Sequence, residues 1–183
     1  MDDLTVDQIT KAMRAYLGTY ALPKLPKADN QHLLNGFLND VGLPSDGNDF
    51  CVFTPITTER NGTTIESFDP WGEAVKLNVY FTIAVQVDCY STNRVTAQQR
   101  AQAYEAFARS SYGVQLFKSF GLDLQYADSL QNLTAVMDAG QYVSRWSLTL
   151  HFGLKKVLQV QEPSFDSVSV DIANVDVKFP PKE

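Results

Sequence analysis

The chain is poor in the residues that staple, metallate or catalyse. Its 183 residues hold two cysteines, Cys51 and Cys89, which excludes a disulfide-dense scaffold. The two histidines, His32 and His151, stand far apart and form no i, i+4 ligand pair. There is no glycine-rich phosphate loop and no nucleophile-elbow pattern. Asp123, Asp128 and Asp138 are spread over a strand–loop–strand region where carboxylates serve turns, and nothing selects a pair for glycoside hydrolysis. The longest purely apolar runs are a few residues, well below the roughly 20 that span a bilayer. Basic charge is also scarce. Fifteen Lys and Arg against 21 Asp and Glu leave a net charge of −6, which argues against a nucleic-acid binder, because neutralising phosphates requires a basic surface. The opening MDDLTVDQ has no basic n-region and no apolar h-region, so an intracellular setting is expected. No cofactor and no catalytic or metal-binding residue is expected.

What is present is strand character of unusual length. In VKLNVYFTIAVQVDCY (75–90), Val75, Leu77, Val79, Phe81, Ile83, Val85, Val87 and Cys89 are apolar at every second position. Extended at about 3.4 Å per residue, this stretch is roughly 50 Å long. A globule of this chain length is only about 40 Å across. Such a strand either bends near Ala84 or projects and needs a neighbour to cover it. A second stretch alternates in the same way, with Trp146, Leu148, Leu150, Phe152 and Leu154 on one face and Arg145, Ser147, Thr149, His151 and Lys155 on the other. The two are expected to pair into one extended ribbon. Cys89 continues the apolar face and reads as a buried free thiol.

Helical periodicity marks residues 4–17, with Thr5 as cap, Ile9, Met13, Tyr16 and Leu17 on one face, and Gly18, Pro23 and Pro26 as the stop. A short helical turn is expected around Leu33, Leu34, Phe37 and Leu38, with Gly36 weakening it. The clearest helix starts at a Thr96 cap, turns Ala97, Ala101, Tyr104 and Ala108 inward, and ends or kinks at Gly113. VQLFKSFG adds a shorter helix closed by Gly121. DFCVFTPITTER, LDLQYA and NLTAVMD read as strands. Pro55 points to an edge or a bulge, and Asn61-Gly62 to a hairpin turn or the start of a longer loop. The whole is an α+β fold: an antiparallel sheet of long strands with helices packed on one face. A single domain covers 1–183, with an N-terminal helix in 1–20. A strand-like arm over 160–183 alternates through Val168, Val170 and Ile172, slips phase to Val175, Val177 and Phe179, and is expected to dock on a sheet edge of its own or a neighbouring subunit.

Trp71, Tyr80, Tyr90, Tyr112, Tyr126, Tyr142 and Trp146 read as packing and contact residues rather than a ligand-stacking site. Tyr80 and Tyr90 matter most, because a tyrosine on the polar face of a long strand is either exposed or at a subunit contact.

The segment FKSFGLDLQYADSLQNLTAVMDAGQYVSRWSLTLHF (117–152) carries a helix ending at a glycine, a short strand ending near YAD, and a run of Asp138, Gly140, Gln141, Tyr142, Val143, Arg145 and Trp146 entering a long strand. With DFCVFTPITTER and the closing NVDVKFPP, it resembles a phage neck or tail-terminator family over about residues 49–181. The resemblance implies a virion structural protein of the neck with no catalytic residues, present in the host cytoplasm during assembly. It further implies a ring, typically hexameric, that caps the tail tube, meets the head connector and lets double-stranded DNA through its lumen without sequence-specific binding. Gly140 and Arg145 would then be fold and interface positions. The interface candidates are Tyr80, Tyr90, Arg94, Arg145, His151, Lys155 and Phe179. On this reading Tyr80→Asp and Arg145→Glu spare folding and impair assembly. A different head–tail joining protein is the nearest alternative. A host α+β domain capturing a protein or peptide on the long sheet is the alternative from another class, and an enzyme ranks third.

Overall fold

The protein is described by a computed structural model over residues 3–25, 32–36, 49–69, 74–136 and 142–161. Helix α1 (Asp3–Tyr20) opens the chain, followed by strands β1 (Leu33–Asn35), β2 (Asp49–Asp69) and β3 (Ala74–Ser91). Helices α2 (Arg94–Ala108) and α3 (Ser111–Ser119) come next. Three short strands, β4 (Asp123–Ala127), β5 (Gln131–Asn132) and β6 (Ala135–Val136), then precede the long β7 (Tyr142–Gln161).

The sheet runs in the order β1-β2-β3-β7-β4, with β5 and β6 also paired to β7. Its spine is the pairing expected from the two alternating stretches. β3 and β7 are antiparallel in unbroken register from Ala74↔Gln161 to Ser91↔Ser144. β3 therefore passes Ala84 without a break. The irregularity lies next door in β2, where Ile56 is the extra residue between Pro55↔Val85 and Thr57↔Ala84. A proline that cannot donate to the ladder falls at this bulge, as anticipated.

Asn61-Gly62 is not a hairpin turn. It opens a second bulge between Asn61↔Tyr80 and Ile65↔Asn78, with Gly62 at φ +69°, and β2 continues to Asp69. Side chains hold the ladder together across this interruption. Asn61 Nδ2 donates to Thr82 Oγ1 at 2.6 Å, and Asn78 Nδ2 donates to the Ile65 carbonyl at 3.2 Å.

Other elements depart from expectation for local reasons. Leu33 and Leu34 belong to a strand rather than a helical turn. β1 pairs parallel with β2 (Leu33↔Cys51), which makes the sheet mixed, and both leucines are buried there. Tertiary pairing has overridden a weak helical signal containing Gly36. Phe37 and Leu38 lie outside the described residues. α1 extends past both expected ends: Thr5 is inside it, and Gly18 is accommodated before the chain reaches Pro23. α2 is capped by Asn93, whose Oδ1 accepts the Val95 N–H at 3.0 Å, rather than by Thr96.

Gly113 lies within α3, and the break between the helices falls at Arg109–Ser110. Gly121, at φ +73°, closes α3 as expected. Its N–H bonds the Lys118 carbonyl at 2.9 Å while Leu122 N–H bonds the Phe117 carbonyl at 3.1 Å, the Schellman pattern. The accompanying apolar pair, Phe117 and Leu122, is fully buried.

All three helices pack on one face of the sheet. The core joins Met13, Tyr16 and Leu17 of α1 and the Ala101–Tyr104 face of α2 to Phe53, Val85, Val87, Leu148, Leu150 and Phe152 of the sheet. Arg100, also on the inward face of α2, is fully buried. Its Nε donates to the Pro23 carbonyl at 3.0 Å and its Nη2 to Asp49 Oδ2 at 3.2 Å, so one side chain ties together the chain after α1, the start of β2 and α2.

Candidate assembly surface

Burial stops partway along the spine. From Ile83 to Ser91, β3 is almost continuously buried, its odd-numbered residues beneath the helices, whereas β2 from Ile56 to Phe68 and β7 from Val157 to Gln161 are largely exposed. The outer halves of β2, β3 and β7 form a three-stranded arm. Along β3, from Ala74 to Thr82, it is roughly 30 Å long at about 3.4 Å per residue. The alternation that fills the core continues along it, so Val75 lies between Phe68 and Val160, and Leu77 faces Leu158. Phe68 is 59% exposed. A monomer rarely leaves large apolar side chains grouped in the open without a partner for them.

Five of the seven interface candidates lie on the opposite face, away from the helices. The register pairs Tyr80↔Lys155, Ala84↔His151 and Tyr90↔Arg145 place them in one strip. Tyr80 and Tyr90 are ten positions apart, about 34 Å at strand rise, so the strip is a surface and not a single site.

On the arm, Lys155 Nζ stands 5.8 Å from the centre of the exposed Tyr80 ring. Midway, His151 stacks on Tyr126 with ring centroids 4.2 Å apart, and its Nε2 is 3.1 Å from Asp128 Oδ2. At the inner end Tyr90 stacks on Phe50 at 4.6 Å, and the Arg145 guanidinium lies 5.6 Å from the Tyr90 ring centre. Arg145 forks onto Asp88, which Gln86 Nε2 also contacts at 2.9 Å and 3.1 Å. Burial, reinforced by Asp88 and opposed by Arg145, raises the Tyr90 phenol above its ordinary pKa. The hydrogen bond to Asp88 raises that of Arg145.

Arg94 stands apart, exposed at the start of α2, where Thr92, Asn132, Thr134 and Ser144 line a shallow groove with it. Phe179, the final candidate, lies outside the described residues, as does residue 162 onward of the strand-like segment expected over 160–183, whose first two residues end β7. Gly140 also lies outside the described residues.

Sequence reasoning missed three residues. Arg100 and Asp88 are charged side chains on faces read as a helical core stripe and a polar strand face, and only the fold shows their partners. Phe68 fell in the stretch after Asn61-Gly62, read as a hairpin or a longer loop, and its place in an exposed strand came only with the fold.

Cys51 and Cys89 are buried free thiols, register partners with their sulfurs 3.7 Å apart. Burial pushes the Cys89 thiol well above its ordinary pKa. Among the described residues no group of three or more His, Cys, Asp or Glu is placed to hold a metal ion. No described helix is long and apolar enough to cross a membrane.

The described sheet thus carries a strip of aromatic and charged side chains on one face and an arm of exposed apolar ones beyond the helices. The sequence profile of the phage neck terminator protein family matches residues 7–182, and the chain belongs to that family. The family is structural, not enzymatic, and its place is the virion neck. The match favours this reading over a host peptide-binding domain. No curated protein matches the chain significantly.

Proposed function

We propose that the chain terminates the phage tail by assembling into a ring, of six copies, that caps the tail tube and meets the head connector while DNA passes through its centre. The observation that carries this reading is the three-stranded arm, whose apolar side chains continue the core alternation into solvent. Ring assembly covers such surfaces by repetition of one contact. Acidic balance also suits a passage that must release DNA, since a net charge of −6 gives phosphates little to bind. The protein acts first in the host cytoplasm, where neck parts assemble, and then in the virion.

The test is light scattering and negative-stain imaging of the purified protein, alone at rising concentration and after addition to purified tail tubes. Rings, in solution or seated on tube ends, are expected. A protein that forms none and leaves tube ends bare would sink the proposal. A head-to-tail joining defect in phage lacking the protein is the matching result in infected cells.

A further inference from the structure

The two outer strands of the arm have edges that no described strand covers. β1 reaches only Phe53 on β2, and β4 reaches only Gly153 on β7. Beyond those points the edges differ in charge. The β2 edge carries Glu59 and Glu66 against one basic residue, Arg60, whereas the β7 edge carries Lys155 and Lys156 with no acidic residue up to Gln161. Both edges present exposed apolar side chains, Ile65 and Phe68 on one and Val157 and Leu158 on the other.

We propose that the acidic β2 edge of one copy pairs with the basic β7 edge of the next, so that the arms of neighbouring copies form a continuous sheet. This rests on the ring reading above and names the contact that builds it. Three features single out a second copy of this chain as the occupant. The complementary edges lie on the same molecule. Like edges do not match, since β2 on β2 opposes carboxylates and β7 on β7 opposes ammonium groups, which like-charge repulsion disfavours. β2 and β7 both run antiparallel to β3, so two copies with arms aligned bring these edges together as parallel strands. A contact between two different patches is head-to-tail, and head-to-tail contacts close into rings or extend into filaments. Unpaired strand edges supply the main-chain hydrogen bonds, and the charges select the partner edge.

The test uses two full-length charge-reversed chains, Lys155→Glu with Lys156→Glu, and Glu59→Lys with Glu66→Lys, each first checked for a wild-type circular dichroism spectrum. Each alone has two edges of one sign and is expected to associate at least about tenfold more weakly than wild type by sedimentation. An equimolar mixture restores complementary edges and should recover rings in which the two chains alternate. Either variant assembling alone as wild type does, or a mixture no better than its components, overturns the edge contact while leaving the ring reading intact. Failure of wild type to associate in solution or on tail tubes overturns the ring reading itself. A variant that does not fold is replaced by its single substitution, Lys155→Glu or Glu66→Lys, under the same criteria.

Discussion

Asp88 and Arg145 meet diagonally across the β3–β7 ladder in a two-pronged contact, with Nε 3.2 Å from one carboxylate oxygen and Nη2 2.9 Å from the other. The Asp88 side chain is 7% exposed, that of Arg145 34%. The pair holds a carboxylate inside the sheet, so removing the cation costs more than a surface ion pair contributes. Arg145→Met should destabilise the fold by about 2–3 kcal/mol, with Gln86 still donating to Asp88. Arg145→Glu places a second carboxylate there and should cost more, about 3–5 kcal/mol. It is therefore expected not to spare folding, whereas strand alternation alone suggests that it would. Urea denaturation of both variants checks the order.

Tyr80→Asp is the contrasting case. Tyr80 is 39% exposed on the arm, where the Lys155 ammonium from the adjacent strand stands 5.8 Å from its ring centre. The loss should stay within about 1 kcal/mol, as at other surface positions. Self-association should fall while the melting temperature holds. A large drop in melting temperature would show that the arm is integral to folding.

Arg100 closes the inner end of the fold. Arg100→Met removes the donors to the Pro23 carbonyl and Asp49 from a fully buried position. The expected loss is about 1–3 kcal/mol, because two hydrogen bonds are lost while Pro23 is exposed and Asp49 partly so, which lets water reach them. Arg100→Lys retains charge but not the fork and should fall between. Thermal denaturation of the three proteins tests this ranking.

Alkaline pH should weaken the protein through buried tyrosines. Burial raises the pKa of Tyr16 and Tyr104, and Tyr104 donates to the Leu17 carbonyl at 2.8 Å. Above the unfolded tyrosine pKa of about 10, the unfolded chain loses these protons while the folded one keeps them. The folded state then binds more protons, so stability is full below about pH 10 and declines as pH rises beyond it. Denaturant midpoints from pH 8 to 11 should show the decline, and Tyr104→Phe should flatten it.

Cys51 and Cys89 are both completely shielded from solvent. A thiol reagent should label them at the rate of global unfolding and not faster, since the thiolate is the reacting form and burial suppresses it at Cys89. Rapid labelling of native protein would place an opening in the β2–β3 ladder.

Local patterns made most elements legible. Period-two alternation located β3 and β7, helical spacing located the inward face of α2, and a glycine located the end of α3. Several misreadings share one cause: at β1, at the passage of β2 through Asn61-Gly62 and at the ends of α1, a partner strand or a packed helix overrode the local signal.

The candidate strip was half legible. Alternation put Tyr80, Tyr90, Arg145, His151 and Lys155 on one face, because side chains in a strand change face at every residue. It did not distinguish Arg145, engaged with a buried carboxylate, from Tyr80, open to solvent.

By itself the sequence determined the length of the ribbon and the identity of its apolar face, since both follow from a pattern repeated every second residue. Only the tertiary structure decided where that face is covered. The helices pack over the inner half of the ribbon, and the arm is what remains beyond them.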